Sequence, residues 1–275
     1  MSTTAEDGDG DPWEIHASWW QEGFTDGADA EYTEQILPLA AAHLMGAGEV
    51  VDIGAGEGQL ARLAADGGAR RVVGLDPTPA QLRVAGARAG GPHYVRATAS
   101  ALPLPSGHFD AAIACLVFEH IEEVDAALAE VSRVLRPGGR FLFFLNHPLL
   151  QAPGSGWIDD HVLDPPEQYW RVGAYLVEDH SLEEVEKGVF IPFIHRPLSR
   201  YVNAMAAAGL VIRHLAEPPP PPGFLARASE YVLASTIPRL LFILADKALA
   251  APEYRGDHAP PRHGSAPQGA EGGTP

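Results

Sequence analysis

EVVDIGAGEGQLARLAA, residues Glu49–Ala65, is the stretch whose reading decides the fold. An apolar run closes on Asp52, glycines follow at alternate positions (Gly54, Gly56, Gly58), and an amphipathic stretch begins at Gln59. That order describes a buried strand, a tight turn and a helix, and the glycines let the turn's backbone approach a ligand at the helix N-terminus. A P-loop is excluded because no Gly-Lys followed by Ser or Thr closes the turn. A dinucleotide loop needs its third glycine where Gln59 stands, so the motif is GxGxG rather than GxGxxG. A strand-to-helix turn without any ligand could require the same glycines.

The next apolar run, RRVVGLD, ends on Asp76, 22 residues after Gly54. A carboxylate at that strand end can accept both hydroxyls of a ribose, or it can cap the turn that follows. Further runs, HYVRA, FDAAIACLVF and GRFLFFLN, alternate with amphipathic stretches, which predicts a parallel sheet covered by helices. The clearest helix follows the fourth run, where Ile121, Val124, Leu128, Val131, Val134 and Leu135 recur at helical spacing until RPGGR stops it. PLSRYVNAMAAAG predicts a later helix, with strands in LVIRHLAE and RLLFILADK. Two segments break the alternation. Residues 13–47, with Trp13, Trp19, Trp20, Phe24 and Tyr32, read as N-terminal helices laid over the sheet, and residues 148–197 read as an inserted cap rich in aromatics, prolines and histidines. The expected domain spans 13–250, between an acidic disordered tail at 1–12 and a Pro/Gly-rich disordered tail at 251–275.

The net charge is -17, with no dense Lys/Arg stripe, which argues against nucleic acid or an anionic membrane as partner. No stretch reaches the roughly 18 uninterrupted apolar residues of a membrane helix, and the N-terminus lacks a signal-peptide pattern. The single cysteine, Cys115, permits no intrachain disulfide, so a soluble cytoplasmic protein is expected. Its oligomeric state is not encoded legibly.

The segments VVDIGAGEG, GLDPTPAQL, ALPLPSGHFDAAIACLVFEHIEE and LAEVSRVLRPGGRFLF together resemble the class I S-adenosylmethionine (SAM) dependent methyltransferases, in the type 11 branch that is ubiquinone/menaquinone methyltransferase-like. The resemblance covers roughly residues 45–146. It implies an α/β, Rossmann-like fold with a mostly parallel seven-stranded sheet, an antiparallel last strand and the inserted cap. It also implies SAM as cofactor: the loop of Gly54, Gly56 and Gly58 packs on the methionine part and ribose, Asp52 helps hold the amino group, Asp76 binds the ribose diol, and Thr98 and Ala99 begin the segment flanking adenine. Thr98 departs from the family, which usually has an acidic residue there, so its contact to adenine lacks charge assistance. No metal is implied.

The strings FLNHPLL and FIPFIHRPLSRYVNAMAAAGL resemble a subset of these enzymes acting on small molecules. A small-molecule acceptor is therefore expected, with O-methylation favoured. Its pocket is expected from the insertion and the N-terminal helices, and the candidates for it are His120 at the sheet's carboxyl edge, the cap aromatics Trp157, Tyr169 and Trp170, Arg196 as partner for an acceptor carboxylate or phosphate, and Tyr201. His147, directly after the fifth strand, and His195, where the cap returns to the sheet, are candidate bases, because imidazole titrates near ~6.5. An NAD-dependent oxidoreductase and a non-catalytic SAM-binding protein remain alternatives.

Overall fold

The computed structural model describes residues 11–231 and 233–249. The C-terminal tail expected from 251 lies outside them, as does nearly all of the N-terminal one. Asp11 and Pro12 are already structured, since the Asp11 carboxylate accepts the Trp13 N–H (3.0 Å) at the start of the first helix.

Helices α1 (Pro12–Ile15) and α2 (Ala17–Gly23) lead through a π-helical turn, Tyr32–Ile36, into α3 (Leu37–Leu44). Then β1 (Glu49–Ile53), α4 (Gln59–Asp66), β2 (Arg71–Asp76), α5 (Pro79–Arg88), β3 (His93–Arg96) and β4 (Phe109–Cys115) follow in alternation. A 3-10 turn, Phe118–His120, precedes α6 (Val124–Val134), which feeds β5 (Leu135–Asn146). Ile121 is therefore not part of the helix its spacing predicts; its backbone is already extended. The expected insertion consists of α7 (Pro148–Gln151) and two antiparallel hairpins, β6 (Gly156–Asp160) with β7 (Glu167–Arg171) and β8 (Asp179–Glu186) with β9 (Val189–His195). The chain ends with α8 (Leu198–Ala207), β10 (Leu210–Ala216), α9 (Pro222–Arg227) and β11 (Leu240–Lys247).

Seven strands form one sheet in the order β10-β11-β5-β4-β1-β2-β3. The first five strands of the chain pair in parallel, and β11 runs antiparallel to both β5 and β10, as expected. Because β1 lies inside the sheet, between β4 and β2, side chains on both its faces are buried. Val51 and Ile53 pack with Val73, Leu75, Phe141 and Phe143 against one helical layer, while Val50 packs with Val72, Ile113, Leu142 and Phe144 against the other. Alternation then puts Asp52 on the α3/α4 side, near the carboxyl end of this strand. A charged residue in that place is not explained by packing.

Candidate functional site

Beyond the carboxyl ends of β1, β2 and β4 lies a cavity of about 640 Å³. It gathers six of the residues expected from the sequence: Asp52, Gly54, Gly56, Thr98, Ala99 and His120. The glycines have distinct tasks. Gly56 has φ +54, and a Cβ added there would meet only the Trp20 indole nitrogen, at 3.7 Å, so its face opens onto the cavity. Gly58 does not line it: with φ +86 it supplies the left-handed cap of α4, and a Cβ would collide with the Tyr94 hydroxyl.

Asp52 is 2% exposed and its Oδ2 has no hydrogen-bond partner. Burial pushes this carboxyl up to about 7, only partly offset by the Ala61 N–H. An orphaned buried carboxylate is costly unless a cationic or hydrogen-bonding ligand meets it. Asp76 stands behind the loop rather than on the cavity wall: its Oδ2 accepts the Gly56 N–H (2.9 Å) and its Oδ1 the Thr78 N–H (2.8 Å). Each oxygen keeps a lone pair, and burial raises this carboxyl as well.

The N-terminal segment roofs the cavity with Trp13, Trp20, Thr25 and Tyr32. It is tied down by Glu14, which accepts the Ala80 N–H (2.7 Å) at the start of α5, and by Gln21, which donates to Gln81 (3.0 Å). The Trp13 ring meets the His120 ring edge-on at 4.8 Å, and Phe193 closes on its other side at 4.7 Å. His120 Nδ1 lies 2.7 Å from the Pro192 carbonyl, which can only accept, so the proton is on Nδ1 and the Nε2 lone pair is free. Burial lowers this imidazole to about 4, so it is neutral at ordinary pH.

Sequence reasoning passed over two carboxylates flanking the site. Glu57, inside the glycine motif itself, is buried and paired with Arg62 (2.7 Å) and Arg88. Glu119 is buried beside Asn146, whose side-chain N–H donates to it (2.9 Å), and burial pushes it up to about 7. Its adjacency to His120 was the only sequence signal.

The remaining candidates lie elsewhere. His147 caps α7 by accepting the Leu149 N–H (3.1 Å) and pairs with Glu217 (2.8 Å), so both ring nitrogens are engaged and neither faces the cavity. His195 donates Nε2–H to the Tyr175 carbonyl (2.8 Å) and is buried in the cap junction. Arg196, 3% exposed, donates to the carbonyls of Phe118 (3.2 Å), Ile121 (2.8 Å) and Glu122 (3.0 Å), so it holds the His120 turn instead of meeting a ligand anion. Tyr201 is a core residue against Phe143. Trp157 and Trp170 line a separate cavity of about 170 Å³, with Trp157 stacked on Tyr231, and Tyr169 is exposed. Of the two segments expected to supply the acceptor side, the N-terminal helices line this cavity, whereas Trp157, Tyr169 and Trp170 of the insertion do not.

It follows that His147→Ala lowers stability by about 1 kcal/mol, the worth of a helix cap, and leaves SAM affinity unchanged. A thermal melt paired with a SAM titration checks this; weakened SAM binding at unchanged melting temperature would return His147 to the site.

The comparisons with known proteins can be set beside this geometry. Residues 51–143 match the family described as a methyltransferase domain. An S-adenosylmethionine-dependent methyltransferase structure from Mesorhizobium loti is 31% identical, covers 80% of this chain and 99% of its own, and superposes with a TM-score of 0.67. The chain belongs to the class I SAM-dependent methyltransferases. This methyltransferase is also similar to a malonyl-[acyl-carrier protein] O-methyltransferase of Serratia marcescens, 36% identical over 126 residues, 45% of this chain and 48% of that one. It is similar as well to the ubiquinone/menaquinone biosynthesis C-methyltransferase UbiE of Methylobacterium nodulans, 40% identical over 118 residues, 40% of this chain and 46% of that one. The chain therefore spans about half the length of the curated relatives it matches, and these two differ in the atom that they methylate. Family membership sets aside the nicotinamide alternative. No helix among the described residues is long and apolar enough to cross a membrane.

Proposed function

We propose that the protein transfers a methyl group from SAM to a hydroxyl of a small molecule bound under the N-terminal roof. The observation that carries this reading is the orphaned Asp52 carboxylate beside the open face of Gly56, in a cavity that also presents the free Nε2 of His120. When bound, SAM supplies an electrophilic methyl group on a sulfonium. Asp52 would hold its ammonium, Asp76 its ribose diol and the Thr98–Ala99 segment its adenine edge.

Methyl transfer is an in-line displacement, so the protein's work is alignment and exclusion of water. The acceptor oxygen's lone pair forms the new O–CH3 bond while the S–CH3 bond breaks with its pair onto sulfur, leaving a neutral thioether. His120 Nε2 accepts the hydroxyl's hydrogen bond and orients the oxygen. The oxygen becomes strongly acidic as the methyl arrives, so even a weakly basic neutral imidazole takes its proton and passes it to solvent. Trp13 and Trp20 close the site to bulk water. Incubation with SAM and a panel of small hydroxyl compounds, reading S-adenosylhomocysteine by mass spectrometry, tests this. Acceptor-dependent release is expected; bound SAM with no release on any compound points to the non-catalytic alternative.

A pH dependence follows from Asp52. Its folded value is raised above 3.8, so the stability contributed by its neutral form in ligand-free protein is complete below 3.8 and is lost as pH rises toward about 7. SAM's ammonium prefers the ionised form, so affinity runs the other way: it falls by up to about tenfold per unit as pH drops below about 7. Asp52→Asn should weaken SAM and flatten this profile. An unchanged slope in the variant removes Asp52 from the ammonium site.

A further inference from the structure

The cavity's charges restrict what it can accept. Among the described residues lining it are four carboxylates, Asp52, Glu57, Glu122 and Glu123, and no lysine or arginine. Glu57 is neutralised from outside by Arg62 and Arg88. Arg196, the cation nearest in sequence to the His120 turn's partners, has its guanidinium on three backbone carbonyls and Glu178 (3.5 Å). With SAM bound, its single net positive charge is matched by ionised Asp52, which leaves Glu122 and Glu123 at the mouth unbalanced.

An anionic acceptor would therefore lose its hydration without gaining a cation, a cost of several kcal/mol for a buried charge. It would also pass two like charges on entry. Part of the wall is apolar and aromatic, from Trp13, Trp20, Tyr32, Leu116 and Val117. Such a wall favours a flat, uncharged ring or an amine lying on an indole face.

Resting on the methyltransferase reading above, we infer that the acceptor is a neutral or cationic, ring-bearing small molecule, and that carboxylate and phosphate acceptors are rejected. This sets the chain apart from the relative named for malonyl-[acyl-carrier protein], since a malonyl group ends in a carboxylate.

Two measurements test it on the full-length protein. The first needs no acceptor: tryptophan quenching by iodide, acrylamide and caesium, with and without saturating S-adenosylhomocysteine. Trp13 and Trp20 are the two of the five tryptophans on the cavity wall, so the signal lost on adding the ligand is theirs. Relative to free N-acetyltryptophanamide under the same quenchers, that component should be quenched several-fold more by caesium than by iodide. Preference for iodide overturns the inference. The second is a set of matched acceptors, a phenol ester against its free acid and a phenol amine, with S-adenosylhomocysteine release as readout. Turnover of an acid at or above the rate of its ester also overturns the inference. Calorimetry with S-adenosylhomocysteine keeps the two readings apart: absence of binding defeats the donor site itself, whereas binding with an anion preference defeats only the acceptor class. Glu122→Lys with Glu123→Lys should raise iodide quenching of the same component; no change would mean that the mouth does not set the charge preference.

Discussion

Gly56→Val should abolish SAM binding, lowering affinity by at least about a hundredfold, close to 3 kcal/mol, while the chain still folds. The argument rests on where the new atoms go. Since Trp20 Nε1 at 3.7 Å is the only neighbour within 4 Å of the added Cβ, the isopropyl group enters the cavity and displaces ligand instead of protein. The cost to the fold is backbone strain: φ +54 is a left-handed conformation that valine adopts at about 1–3 kcal/mol. Gly56→Ala carries similar strain with fewer added atoms, so the two variants separate strain from filling. Circular dichroism with a SAM titration reads both, and a valine variant that binds normally would make the loop merely a turn.

The second large effect is expected at Arg196. Arg196→Met leaves the buried carbonyls of Phe118, Ile121 and Glu122 without their donor, while Glu178 keeps Arg200. Leaving buried carbonyls unsatisfied costs about 1–3 kcal/mol each, which for a domain of this size lowers the melting temperature by roughly 10 °C. Lysine should not rescue it, because one ammonium cannot span three carbonyls in a fork. Were Arg196 instead an anchor for an acceptor anion, the methionine variant would raise KM for that acceptor at nearly unchanged stability. Melting curves of the two variants decide between these outcomes.

What the sequence made legible was whatever depends on short-range pattern. The strand-glycine-helix unit at Glu49–Ala65, Asp76 after the second strand and the apolar stripe of α6 each fix local geometry, and the alternation of strands and helices predicts the parallel pairing of β1 to β5. The cavity wall formed by Asp52, Gly54, Gly56, Thr98 and Ala99 came with them. The surroundings of the other candidates did not, because they depend on partners far apart in the chain. His147 is disposed of by Glu217, 70 residues on, and His195 by the Tyr175 carbonyl across the cap. Arg196 finds its carbonyls 74 to 78 residues upstream. Histidines and an arginine next to a sheet edge look catalytic until those long-range acceptors are known. The N-terminal helices were expected over the acceptor side, but which of their aromatics face the cavity rather than the core was not legible, since an aromatic-rich amphipathic segment satisfies either use.

On the reading proposed above, the cavity holds SAM and the buried Asp52 carboxylate recognises the ligand's ammonium. Calorimetric titration of the wild-type protein and of Asp52→Asn with SAM, at two pH values either side of 7, tests it most directly. The predicted result is saturable one-to-one binding by the wild type that strengthens as pH rises toward 7, and markedly weaker binding with a flatter pH dependence by the variant. Absence of binding by the wild type, or equal binding by both proteins at both pH values, would contradict it.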